Sequence, residues 1–325
     1  MTDFLRAVSN QAITTTVNDL INDGMCEAEI LQTIDNRLLP AYEVLIEKAG
    51  NNIFQCIHDH AQEIVNYWNR SDSAFMQRME EKWGKCFEAS QVLYGITLEA
   101  AQNYNEYVHQ IPTDTFSQKK CAFDTLLHLH GRACQEYLEI QTLLKGGFAD
   151  GAYARCRSLY ELCCISNFIQ KFGESVAKAF LQQPKTKPGS KGFPWAQSVK
   201  DDDGKPVRSF KQIQDLCDIP TQWRSCYDLQ CQIVHGSPDG TFGRLANGDS
   251  MNVIPVGRSD YGIMEPGCHS ALCLRWITTE LLTLFIHVDS LAVINALQQW
   301  TEIIIDLYTR TDDVLFGETS SHEKE

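Results

Sequence analysis

The sequence predicts an all-α fold: a multi-helix bundle with a long C-terminal helix, interrupted by two long irregular loops. Three observations carry that expectation. Apolar residues recur at helical spacing along most of the chain. Helix-start signals punctuate it, with Thr115 and Gln118, then Ser209 and Gln212, spaced as capping boxes and Pro220 placed to open a helix. Glycine and proline concentrate in Gln183–Arg208 and Ser237–Gly267, which read as loops.

The elements follow in order. Residues 3–22 form the first helix. Cys26 to Ala49 carries Ile30, Leu31, Ile34, Leu38 and Leu45 at helical spacing, with Pro40 expected to kink it. Asn51 to Asn69 repeats the pattern with Ile53, Ile57, Ile64 and Trp68. Ser73 to His109 is long and amphipathic and stops before Pro112. A helix from Thr115 runs to about Leu144, where Lys145-Gly146-Gly147 ends it. The next covers Ala149 to Phe172. After the first loop, a helix opened by Pro220 ends near His235, with Gly236 as the stop. The second loop alternates apolar residues (Met251-Asn252-Val253-Ile254-Pro255-Val256) and leaves room for a small hairpin within 237–267. A helix from Ser270 to Arg310 closes the fold. The expected organisation is an N-terminal helical region over 1–110, a helical domain over 111–315 that carries the unusual residues, and a frayed tail over 316–325.

Bulk properties narrow the function classes. The chain has 325 residues, enough for one large helical domain or two modest ones. The N-terminus lacks the charged lead and apolar run of a secretory signal. The most apolar stretch, Ile277 to Leu297, is broken by Glu280, His287 and Asp289, so it reads as a core helix and not a membrane span. A cytoplasmic location is therefore expected, and the thirteen cysteines read as reduced small hydrophobes. A net charge of -14 disfavours nucleic-acid binding over the whole surface and docking on anionic membranes, while leaving room for a local basic pocket.

Two helices carry chemistry. In Tyr153 to Phe168, apolar or small residues lie on nearly every side, which predicts burial. Arg155, Arg157 and Glu161 nevertheless lie within it. Arg157 and Glu161 are four apart and share a face. A buried ion pair seldom adds net stability, so the pair is either a register-fixing structural bridge or part of a functional pocket. In the helix ending at His235, Arg224, Asp228, Cys231 and His235 follow one stripe. A histidine in a last turn suits the helix dipole. It also suits acid–base work at neutral pH, with the Ser237-Pro-Asp-Gly loop beside it to cradle a ligand.

The two segments together, Arg157-Ser158-Leu159-Tyr160-Glu161 and Tyr227 through Val234-His235-Gly236, resemble a widespread bacterial helical family of unknown function. Phe193-Pro194-Trp195-Ala196 and Val256-Gly257 fit the same resemblance, which covers roughly residues 115–310. That family is in turn distantly similar to the HEPN superfamily, many of whose members are dimeric, metal-independent ribonucleases acting as toxins or antiviral effectors. Their R-x4-H motif places the histidine on His235 and the arginine on Gln230, a departure, because an amide lacks the fixed cationic fork that steadies a phosphorane. The resemblance implies that Arg157, Arg155 or Arg224 substitutes in space, that His235 moves the proton and that Glu161 orients the arginine or serves as the second acid–base group.

Other constellations fail on spacing. Only Glu106-Tyr-Val-His109 matches the E-x-x-H of a di-iron bundle. His58 with His60, and His128 with His130, lie on different helix faces, and His130 with Cys134 or Asp124 with His128 gives only half a zinc site. No phosphate loop, dinucleotide fingerprint or nucleophile elbow occurs. The basic residues of Lys185–Arg208 are offset by Asp201, Asp202 and Asp203, so a solvated loop is expected there. Two functions remain. One is a HEPN-like ribonuclease or toxin-type effector in bacterial defence or stress, with His235, Glu161 and Arg157 catalytic and Arg155, Arg224, Tyr227, Asp228, Gln230 and Ser237 binding. The other is a non-catalytic interaction or ligand-sensing module using the same pocket. No cofactor or metal is expected. RNA at a local pocket, a protein partner and, from the resemblance, a homodimer are the expected partners.

Overall fold

The structure, a computed structural model, describes residues 2–183, 192–234 and 256–317. It is all-α: the described residues contain no strand, only an isolated antiparallel bridge between Lys200 and Pro206. The 237–250 part of the expected hairpin region, with 251–255, lies outside them. No described helix is long and apolar enough to cross a membrane.

The chain forms two compact units, residues 1–74 and 75–325. The first holds α1 (Thr2–Asn22) and the opening part of α2 (Glu27–Val108). Gly24, at φ 81°, makes the turn between them, and Glu29 accepts the Cys26 backbone N–H at 2.9 Å to start α2. Ala12, Thr16 and Leu20, one turn apart on α1, are the buried stripe of this unit.

The second unit contains the rest of α2, then α3 (Thr113–Ser117), α4 (Lys120–Lys145), α5 (Ala149–Phe172) and α6 (Glu174–Gln182). A 3-10 turn at Pro194–Ala196 precedes α7 (Phe210–Leu216), α8 (Gln222–Val234), α9 (Met264–Leu282) and α10 (Val288–Phe316). Helices α4, α5 and α9 pack pairwise, α10 lies on α9, α6 on α4, and α8 on α5. Tyr137, Ile140 and Leu144 of α4, Cys156, Leu159 and Cys163 of α5, and Leu274, Ile277 and Leu281 of α9 are wholly buried in the resulting core. The turn from α4 to α5 requires Gly147, at φ 74°, where a β-carbon would meet the Phe75 ring at 2.4 Å and the Ser259 carbonyl oxygen at 2.8 Å.

Helix boundaries differ from the sequence expectation in several places: α6 (Glu174–Gln182) is additional to it, and α9 begins at Met264, inside the expected loop 237–267. The segments Cys26–Ala49, Asn51–Asn69 and Ser73–His109 are one continuous helix, with Pro40 inside it. Gly50 costs only about 1 kcal/mol relative to alanine, too little to end a helix, and the Ser73 hydroxyl returns to the Asn69 carbonyl at 2.9 Å without interrupting it. The expected helix from Thr115 divides into α3 and α4, and α3 starts after Pro112 with no side-chain cap. The expected Ser270–Arg310 helix breaks at residues 283–287. There the Tyr104 hydroxyl donates to the Phe285 carbonyl at 3.2 Å and accepts its N–H at 2.7 Å, while Lys119 Nζ donates to the Leu284 carbonyl at 2.9 Å. These long-range partners satisfy the backbone groups that the break exposes. The Ser209–Gln212 capping box forms as expected and opens α7.

Candidate functional site

Arg157 and Glu161 lie one turn apart on α5, with guanidinium and carboxylate 3.2 Å apart. The sequence places them in a buried helix. The structure instead leaves both side chains 34% exposed, on the edge of α5 that is not taken by its buried residues Cys156, Leu159, Tyr160 and Cys163. The pair is therefore open enough to meet a ligand.

Helix α8 adds the third member. The Tyr227 hydroxyl donates to Glu161 Oε1 at 3.0 Å, the same oxygen that faces Arg157, and its ring lies 5.7 Å from the guanidinium carbon, within cation–π range. Burial and the Glu161 charge push the Tyr227 phenol well above its ordinary range, so it acts as a donor and not as a base. Burial works against the Arg157 charge, but the Tyr227 hydrogen bond and Glu161 outweigh it, and the guanidinium is held more firmly protonated. Its Nε is buried without a hydrogen-bond partner. Tyr160 and Phe210 wall the cluster, with ring centroids 5.1 and 5.4 Å from Tyr227.

Beneath this cluster sits a group that the sequence reading passed over. His269 of α9 is 4% exposed, stacks on Tyr160 at 5.9 Å and meets the edge of Trp223 at 6.0 Å. Gln230 Nε2 lies 2.9 Å from His269 Nδ1, and Cys273 Sγ lies 4.0 Å from Nε2. Burial opposes charge on both His269 and Cys273, yet the pull of Cys273 raises the imidazole, and a hydrogen bond from Cys163 together with the charge of His269 lowers the Cys273 thiol below its ordinary range. The signal was available: His269 and Cys273 are four apart, on one helix face.

The remaining expected residues fall as follows. Gln230 is completely buried and committed to His269, so it does not face the Arg157 cluster as a phosphate contact. Arg224 pairs with Asp215 at 2.7 Å and donates to the Gln214 carbonyl at 2.7 Å, tying α8 to α7. Arg155 pairs with Glu139 of α4. Asp228 is exposed on α8. His235 and Ser237 lie outside the described residues, and His235 follows the last residue of α8 in the chain. Among the predicted members, the structure brings together Arg157, Glu161 and Tyr227.

Ser158, the second residue of the R-S-x-x-E pattern, points elsewhere. Its hydroxyl donates at 2.9 Å to Glu136 of α4, a carboxylate 1% exposed, which also accepts from Arg132 Nε at 2.9 Å. This buried network fixes α5 against α4 and so sets where Arg157 emerges. No group of three or more His, Cys, Asp or Glu side chains placed to hold a metal occurs among the described residues. What the cluster offers chemically is a fixed guanidinium for an oxyanion, a carboxylate acceptor and a phenol donor.

A family model described as a family of unknown function, DUF5677, matches residues 123–187. The match takes in most of α4 and all of α5 and α6, so it includes Arg157 and Glu161 but stops short of α8. No curated protein and no solved structure matches the chain.

Proposed function

We propose that this protein is a HEPN-like, metal-independent ribonuclease of the toxin or effector type, acting in bacterial defence or stress. The observation that carries the reading is the half-open Arg157–Glu161–Tyr227 cluster, which links α5 to α8, the helix whose last residue, Val234, precedes His235 in the sequence. In this scheme the Arg157 guanidinium holds a non-bridging phosphate oxygen, and Glu161 and Tyr227 fix its orientation. His235 takes the proton from a ribose 2′-hydroxyl. The 2′-oxygen attacks phosphorus and the bond to the 5′-oxygen of the next nucleotide breaks, the proton accepted by His235 passing through water to that oxygen, giving a 2′,3′-cyclic phosphate and a free 5′-hydroxyl.

A second reading keeps the cluster and removes the turnover. Gln230, at the position where the ribonuclease motif has arginine, is locked onto His269 in the interior. That commitment favours a pocket that senses an anionic ligand or partner without cleaving it. Expression of wild type, Arg157→Ala and His235→Ala in bacteria, with growth and total RNA followed, separates the two. The ribonuclease reading expects growth arrest and RNA fragmentation from wild type alone, and cleavage by purified protein that persists in chelator. Intact RNA and equal growth in all three refute it and leave the sensing module.

A further inference from the structure

A continuous exposed apolar face runs along the stretch of α2 from Ile46 to Trp68. Ile46, Ile53, Ile57, Ile64 and Trp68 follow spacings of seven, four, seven and four, which bring them to one face of an α-helix, and Tyr67 flanks them. Phe54 and Val65 widen the stripe on its other side. All of these are exposed: Ile57 at 54%, Phe54 at 67% and Trp68 at 60%. The opposite face is already suited to water, with Gln55 bonded to Asp59 at 2.7 Å and Gln62 to Asn66 at 3.1 Å along the helix. A sharply two-faced helix whose apolar side meets only solvent presents a contact surface for a partner.

We propose that this face is a homodimer interface, on which the same stretch of α2 from a second copy packs antiparallel with Ile57 over Ile57. Three arguments select that occupant. Eight large side chains at about half exposure offer on the order of 800 Å² per copy, the contribution each partner makes to a standard-size interface. The face is self-complementary in this register: Gly50 comes opposite Ile64, Ala61 opposite Ile53, and Ile46 opposite Trp68, so small residues meet large ones on both sides of the two-fold. Charge disfavours an anionic bilayer, because between Ile46 and Trp68 the only Lys or Arg is Lys48, against Glu47, Asp59 and Glu63. The surface lies N-terminal to the family match over 123–187, and the inference does not depend on the proposed chemistry.

Sedimentation equilibrium of the full chain at tens of micromolar tests it. Wild type and Ile57→Leu are expected to be dimers. Ile57→Asp and Ile64→Asp are expected to be monomers with unchanged helical circular dichroism, since both side chains are exposed within one copy. A spin label introduced at Asn69 by a route that spares the native cysteines should report about 36 Å along the paired helices, twelve residues on either side of Ile57 at 1.5 Å each. A monomeric wild type, or a dimer that survives both aspartates, overturns the interface. A label separation near one helix diameter overturns the antiparallel arrangement.

Discussion

At the scale of single residues, the candidate site is a matter of who holds whom. Glu161 receives both Arg157 and Tyr227, so removing the phenol hydroxyl frees the carboxylate to swing. Tyr227→Phe should cost about 1 kcal/mol in urea unfolding, the lower range for a partly exposed bond to a charged group, and should weaken the function assayed for Arg157. Ser158→Ala acts differently. It removes one of two donors from a carboxylate with almost no solvent contact, and is expected to destabilise the fold by about 1.5–3 kcal/mol in the same measurement. Adjacent members of one short motif thus separate by assay: Arg157→Ala should spare stability and lose function, whereas Ser158→Ala should do the reverse.

At the scale of elements, the positions of helices rest on a few close approaches. Gly267 on α9 lies under Tyr308 of α10, and a β-carbon there would meet the ring at 2.5 Å. Gly267→Ala should therefore push α9 and α10 apart and cost about 1–3 kcal/mol, read as a lowered urea midpoint with an unchanged slope. The break between these helices shows why boundaries were hard to place from sequence. Residues 283–287 contain neither glycine nor proline, and they leave the helix because Tyr104 and Lys119, both distant in sequence, satisfy their backbone groups. Ser209 and Gln212 are the opposite case, a cap whose partners are neighbours in the chain and which was legible at once.

At the scale of the whole molecule, acid stability follows from a buried base. His130 is 2% exposed, and burial lowers its imidazole to about 4 from an ordinary 6.5. The native state therefore excludes a proton that the unfolded chain accepts, and stability falls as pH drops from 6.5 toward 4, by up to about 1.4 kcal/mol per pH unit. His130→Gln should flatten that slope by up to one proton when melting is followed across the window. The sequence by itself determined the all-α class, the apolar stripes, the Ser209 cap and the pairing of Arg157 with Glu161, because each depends on residues within a turn or two of one another. Only the tertiary structure decided that this pair stands at an edge and not in the interior, that Tyr227 joins it, and that Gln230 turns inward to His269. Those outcomes depend on which helix faces meet across the core, and local spacing carries no record of that.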